Sequence, residues 1–289
     1  MPTFLVTGAT GTVGSALVCL LAARGATIRA MSRHPERADL PHGVEPYAGD
    51  LDDPNAVDKA LAGIQRVFLL TGGPNGPRQD QIMASAAAER ALGHLVKLSV
   101  LGITEGATDP ITQWHREGED ALLRSGVPSS FVRPGAFMSN ALNWAPSIAG
   151  YASVQAPFGD LPVACVDPID VAAVAYHLLV HPEPASIGYP VTGPEAISPK
   201  EQAAVLADLL GKTVQFTDLS PEQARDQMIQ RSMPCPLADA VIASMGSPRL
   251  GHGQTPLPTV EQVTGLKPRG FRDWAAAHLA AFTTPAANW

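Results

Sequence analysis

The stretch FLVTGATGTVG, residues 4–14, constrains this chain more than any other. A short apolar run ends at Thr7, glycines follow at positions 8, 11 and 14, and an apolar helical pattern begins at once with Val13, Leu17, Val18, Leu20 and Leu21. Glycines at this spacing let the backbone turn sharply, approach a pyrophosphate and pack a helix against a sheet. The helix start then offers free amides and a partial positive charge to the phosphates. A strand before the glycines and a helix after them is the context that gives such a motif meaning. No Gly-Lys-Ser/Thr follows, so a Walker loop is excluded.

Beyond the loop, strand-like runs at 4–7, 27–31, 44–48, 66–70, 95–99 and 129–133 alternate with helical patterns at 13–24, 54–62, 78–93 and 113–125. Asp53-Pro54 supplies a capping carboxylate followed by a proline suited to a first helical turn. The alternation predicts an α/β fold, a Rossmann-type doubly wound parallel sheet. After about residue 136 the composition shifts toward Pro and Gly, with strand-like 189–192 and 214–219 among helical patterns at 168–180, 199–211, 221–231, 237–245 and 270–282. We therefore expect an NAD(P)-binding domain over 1–150 and a smaller, mostly helical substrate-binding region over 151–289, some of whose segments return to the main sheet.

Twenty Lys+Arg against 27 Asp+Glu give a net charge of −7, and no basic block breaks that balance. A nucleic-acid binder needs a positive patch to displace counterions, so nucleic acid is not an expected partner. No apolar run approaches the roughly 18 residues of a membrane span, and the N-terminus lacks the features of a secretory signal. The expectation is a cytoplasmic protein without a membrane partner. Cys19, Cys165 and Cys235 are far apart, with no CxxC pair and no His cluster at ligand spacing, which argues against disulfides and a structural metal.

The second strand ends at Ser32-Arg33-His34 with no carboxylate to take the ribose hydroxyls. Arg33 suits a 2′-phosphate, which favours NADPH over NADH; the alternative is a solvated surface arginine.

With GATGTVG (8–14), Arg33, GDLDD (49–53), LLTGGP (69–74), VKLSVLG (96–102), WHREGE (114–119) and VRPGAFMSN (132–140) in this order, the chain resembles the NmrA-like branch of atypical short-chain dehydrogenases/reductases. It is similar in particular to NADPH-dependent reductases of quinones and triphenylmethane dyes. The resemblance implies that Thr7, Gly8, Thr10, Gly11, Thr12, Val13 and Gly14 wrap the pyrophosphate and that Arg33 holds the 2′-phosphate. It further implies that Asp50 and Leu51 border the adenine and that Thr71, Gly72 and Gly73 pass beside the nicotinamide ribose. Pro134, Gly135, Ala136 and Phe137 would flank the nicotinamide.

Ordinary members of that superfamily protonate a carbonyl oxygen with a Tyr-x-x-x-Lys pair. None of Tyr47, Tyr151, Tyr176 and Tyr189 is followed by Lys four residues on; the helix expected at that place carries His115 and Glu119 instead. A positioned acid contributes about 10²–10⁴ in rate, a loss that matters for a simple ketone and much less for a conjugated acceptor such as a quinone, iminium or cationic dye. His115 and Glu119 are one helical turn apart, so Glu119 would favour the imidazolium and orient His115 for proton donation; the alternative is a structural pair. Lys97 is a further catalytic candidate, or else an edge residue. Trp114, Met138, Asn140, Trp144, Tyr151 and Phe158 are candidates for a pocket taking a flat aromatic substrate, or else core. The expected protein is a monomer or homodimer that transfers hydride from NADPH to a conjugated or aromatic small molecule. A dinucleotide-binding redox sensor acting through a protein partner and a redox-neutral enzyme are the alternatives.

Overall fold

A computed structural model of the chain describes residues 3–182 and 186–283. The elements run β1 (Thr3–Thr7), α1 (Thr12–Ala22), β2 (Thr27–Ser32), β3 (Glu45–Ala48), α2 (Pro54–Ala60), β4 (Arg66–Leu69), α3 (Gly76–Glu89) and β5 (His94–Leu98). They continue as α4 (Gly102–Glu105), α5 (Pro110–Ser125), β6 (Ser129–Pro134), α6 (Ala145–Tyr151), β7 (Ser153–Pro157), α7 (Pro168–Val180) and β8 (Ile187–Val191). The last are α8 (Pro199–Leu210), β9 (Gln215–Leu219), α9 (Pro221–Gln230), α10 (Cys235–Met245), α11 (Thr259–Thr264) and α12 (Phe271–Ala277).

The first compact unit comprises residues 1–134, 168–191 and 259–266. Its sheet has the order β3-β2-β1-β4-β5-β6-β8 with every pairing parallel. The order reverses between β1 and β4, the topological switch point where open α/β sheets bind ligands beyond the carboxyl ends of their strands.

Successive side chains on a strand face opposite sides. Leu5, Val67, Leu69, Leu95 and Phe131 accordingly share one face and form a core with Val57 of α2, Met83, Ala84 and Ala87 of α3, and Leu122 of α5. On the other face α7 packs on α1 and on β4, β5 and β6. Helix ends follow local chemistry. Asp53 accepts the Asn55 amide at 2.9 Å to start α2, as the Asp-Pro pair predicts, and Asp109 accepts the Thr112 amide at 3.1 Å to start α5. Gly126, at φ 75°, stops α5 in the left-handed conformation.

The second unit comprises residues 135–167, 192–258 and the chain from Lys267. Its core gathers Met138, Ala141, Ile148, Val154, Cys165, Leu206, Phe271, Trp274 and Phe282, and β7 pairs with β9 in a two-stranded parallel sheet. Ser198 and Ser220 close capping boxes at the starts of α8 and α9. A division at residue 150 is not followed, because Met138, Ala141 and Ile148 are core residues of this second unit. The strand β7 and the helices α4, α6 and α11 are additions to the elements expected from the sequence. Each is short, from four to seven residues, and too brief for periodicity to register.

His94 opens β5 at 1% exposure; its Nε2 lies 3.1 Å from Ser130 Oγ and its Nδ1 makes no hydrogen bond. Burial, with the Arg66 charge nearby, lowers its pKa to about 4. An unfolded histidine titrates near 6.5, so the neutral form is favoured by folding. This contribution is complete above about pH 6.5 and is lost as pH falls toward 4. By linkage the loss at pH 5 is about 2 kcal/mol. Urea unfolding at pH 7 and pH 5 is expected to show the wild type losing that much more stability than His94→Gln; equal losses would contradict the assignment.

Candidate functional site

The loop between β1 and α1 has the shape of a phosphate cradle. Gly8 sits at φ 59°, and its carbonyl accepts the Gly11 amide at 2.9 Å. A Cβ on Gly14 would lie 2.2 Å from Gly8 O, so only glycine lets the first turn of α1 close on the loop. No side chain caps α1, which leaves the first-turn amides of Thr12, Val13 and Gly14 to a ligand. The Thr7 hydroxyl is buried and accepts from the amide of Leu70, just beyond β4, at 2.8 Å.

Thr10 Oγ1 lies 3.3 Å from Ser32 Oγ, which joins the cradle to the end of β2, where Arg33 and His34 are exposed. Asp50 is exposed at the end of β3 and turns the chain by accepting the Asp52 amide at 3.0 Å, while Leu51 packs against the core. Gly72 and Gly73 follow β4, with Gly73 at φ 68°. The carboxyl ends of β1, β2 and β4 thus carry the loops expected to meet a dinucleotide.

Between β5 and the helices α3 and α5 lies a polar cluster. Lys97 shares a strand face with Leu95 and so points at α3, where its Nζ meets Asp80 at 2.8 and 2.7 Å and Thr71 Oγ1 at 2.8 Å. The Thr71 hydroxyl donates to Asp80 Oδ1 at 2.9 Å. Lys97 is 0% and Asp80 1% exposed, so all three ammonium donors are used inside the protein. This corrects both earlier readings of Lys97. It lies on a central strand rather than an edge, and its ammonium is buried against Asp80 and Thr71.

Glu119 is also corrected. Its carboxylate accepts from Ser99 at 2.5 Å and from Arg133 through Nε at 3.0 Å and Nη2 at 2.5 Å, a bidentate ion pair. It is therefore engaged by β5 and β6 and is no partner to His115. Gly188 on β8 makes room for this, since a Cβ there would lie 2.5 Å from the Arg133 guanidinium carbon. His115 is half-buried, and burial together with the Lys97 ammonium pushes its pKa down to about 3. That direction opposes the imidazolium expected from a Glu119 partner and favours the neutral ring, which carries one N–H donor.

Comparison with known proteins agrees with this geometry. The model of the NAD(P)H-binding family matches residues 8–182. The chain belongs to that family. It is 45% identical over 280 residues to a (4-alkanoyl-5-oxo-2,5-dihydrofuran-3-yl)methyl phosphate reductase of Streptomyces griseus, covering 96% of this chain and 98% of the relative. It is 36% identical over 285 residues to an NAD(P)H azoreductase of Xenophilus azovorans, covering 96% and 98%. An NADPH-dependent quinone oxidoreductase of Escherichia coli, solved with NADPH, has the same fold with a TM-score of 0.83 at 24% identity, over 96% of this chain and 99% of that one. NmrA shares the fold as well, and the NmrA-like resemblance of the sequence stands. The protein is an NAD(P)H-dependent oxidoreductase.

The pocket candidates of this family member divide. In the second unit Met138 is 1% exposed in the core, which corrects its assignment to a pocket wall, and Tyr151 is 84% exposed at the end of α6. Trp144 packs partly on that core, Asn140 is exposed, and Phe158 holds φ 58°, a strained conformation for a bulky residue. In the first unit Trp114 is half-buried on α5. Asp80, Gly118 and Arg133 were not anticipated from the sequence. A lysine inside the apolar strand LVKLS signals a buried counter-charge, and Asp80 at the centre of α3 could have been matched to it.

Among the described residues no helix is long and apolar enough to cross a membrane, and no His/Cys/Asp/Glu group could hold a metal ion. The Gly14→Ala variant is expected to fold and to bind NADPH about tenfold or more weakly by calorimetry, because the added methyl reopens the cradle. Unchanged affinity would contradict the role of this glycine.

Proposed function

We propose that this protein is an NADPH-dependent reductase of electron-poor, conjugated small molecules, quinone-like or enone-like, with His115 as an uncharged hydrogen-bond donor to the oxygen that gains electron density. The observation that supports the reading is His115 on α5, half-buried, with burial and the Lys97 charge lowering its pKa to about 3. The relatives reduce a dihydrofuranone phosphate and azo compounds by their names, and both names describe unsaturated, activated acceptors.

When bound, NADPH supplies hydride from C4 of its nicotinamide. Gly8, Gly11 and Gly14 admit its pyrophosphate to the α1 amides, with Thr10, Thr12 and Val13 around it, and Arg33 binds the 2′-phosphate. Thr71, Gly72 and Gly73 after β4, and Pro134, Gly135, Ala136 and Phe137 at and after the end of β6, position the nicotinamide. A neutral imidazole is a poor proton donor and a good hydrogen-bond donor, so His115 stabilises developing enolate or quinol charge without transferring its proton. Solvent then protonates the product. A simple ketone would need a full proton in the transition state, and none of these groups supplies it. Of the pocket candidates, Trp114 on α5 is in the same unit as His115 and remains the side chain we assign to substrate contact.

NADPH oxidation against quinones, alkanoyl butenolides and unactivated ketones tests the reading. Turnover is expected with the conjugated acceptors, and kcat is expected to fall by about 10² in His115→Ala with NADPH affinity preserved. Arg33→Ala is expected to raise the NADPH KM by roughly tenfold and leave the NADH KM unchanged. Turnover of unactivated ketones that survives His115→Ala would overturn the proposal.

A further inference from the structure

Beyond the effect of its ammonium on His115, the Lys97–Asp80 pair contacts two elements of the proposed chemistry. Thr71 is the second residue beyond β4, and its hydroxyl is held by both members of the pair, at 2.8 Å from Lys97 Nζ and 2.9 Å from Asp80 Oδ1. On α5, a Cβ at Gly118 would lie 1.8 Å from Asp80 Oδ2 and 2.7 Å from its carboxyl carbon. The helix can therefore approach the carboxylate only because residue 118 has no side chain. His115 lies three residues earlier on the same helix face and shares that orientation toward the pair. Glu119, Ser99 and Arg133 form a separate network, closed on itself and on Thr104, so it does not replace these contacts.

We propose that Lys97 and Asp80 are positioning residues for hydride transfer: through Thr71 they fix the loop after β4, and through the notch at Gly118 they fix the α5 turn that presents His115. The inference rests on the reductase reading for its kinetic consequence, and its structural consequence is independent of that reading. One buried charge pair then sets the spacing between the loop assigned to the nicotinamide ribose and the donor assigned to the substrate. On α5 itself His115 is followed by Arg116, Glu117 and Asp120, all exposed. Lys97 reaches it from β5 and Asp80 lies on α3. Glu119 and Arg133, from α5 itself and β6, neutralise each other, and α4 carries Glu105. The ammonium nearest the imidazole is also the one that opposes its protonation.

Breaking the pair from one side would leave a buried, uncompensated charge and could unfold the protein, whereas replacing both members by apolar residues of similar volume is often tolerated. The test therefore uses Lys97→Met/Asp80→Leu together with Gly118→Ala, which displaces Asp80 without removing a charge. Thermal unfolding, NADPH affinity by calorimetry, single-turnover NADPH oxidation with a quinone, and the His115 imidazole titration by NMR are read in both. Folded variants are expected to bind NADPH about tenfold more weakly and to transfer hydride at least tenfold more slowly, with the His115 titration moved up from about 3 in the double variant. Folded variants with affinity, single-turnover rate and titration all within twofold of the wild type would overturn the proposal. If the wild type binds NADPH but turns over no acceptor, the reductase reading fails. The affinity and titration arms then decide the positioning role alone: shifts in both sustain it, and their absence sinks it.

Discussion

A lysine on a buried parallel strand has to be neutralised where it stands. Lys97 lies between β4 and β6 with no exposed surface, and it finds Asp80 on α3 and Thr71 at the end of β4. Such pairs add little net stability, because desolvation offsets much of the attraction. What they add is geometry. An ammonium with all three donors committed tolerates few arrangements of its partners, whereas apolar contacts between β5 and α3 could slide. The close approach at Gly118 carries the same constraint into α5.

The second charged network repeats the logic one strand further. Arg133 and Glu119 bind bidentately between β6 and α5, Ser99 supplies a third contact from beyond β5, and Gly188 on β8 yields space for the guanidinium. Glu119 is held by Arg133 and Ser99, and burial with the Lys97 charge lowers the His115 pKa to about 3. Acceptors that take hydride before they need a proton are the ones we propose for such a site.

The sheet and its cradle were legible in the sequence because most strands of the sheet are followed by a helical pattern and because Gly8 and Gly14 are needed for backbone reasons that spacing reveals. The same holds for Asp53 before Pro54 at α2. The charge network was not legible. Pairing His115 with Glu119 rested on their helical spacing, but spacing says only that two side chains share a face. It does not say that a strand behind them offers Arg133 and Ser99. For Met138 the sequence left pocket wall and core open, because an apolar side chain after a strand end fits both until the second core that buries it is seen. Short elements such as β7, with Gln155 and Pro157, carry too little alternation to be read.

The central claim, an uncharged donor in a hydride-transfer site, is tested most directly by the pH dependence of single-turnover hydride transfer from C4-deuterated and unlabelled NADPH to a quinone between pH 5 and 8. With the His115 pKa near 3, the account predicts a primary isotope effect and a rate that stays flat across this range. A rate that falls as pH rises through about 6.5, and loses that dependence in His115→Ala, would show that the imidazolium is the working form and would contradict it.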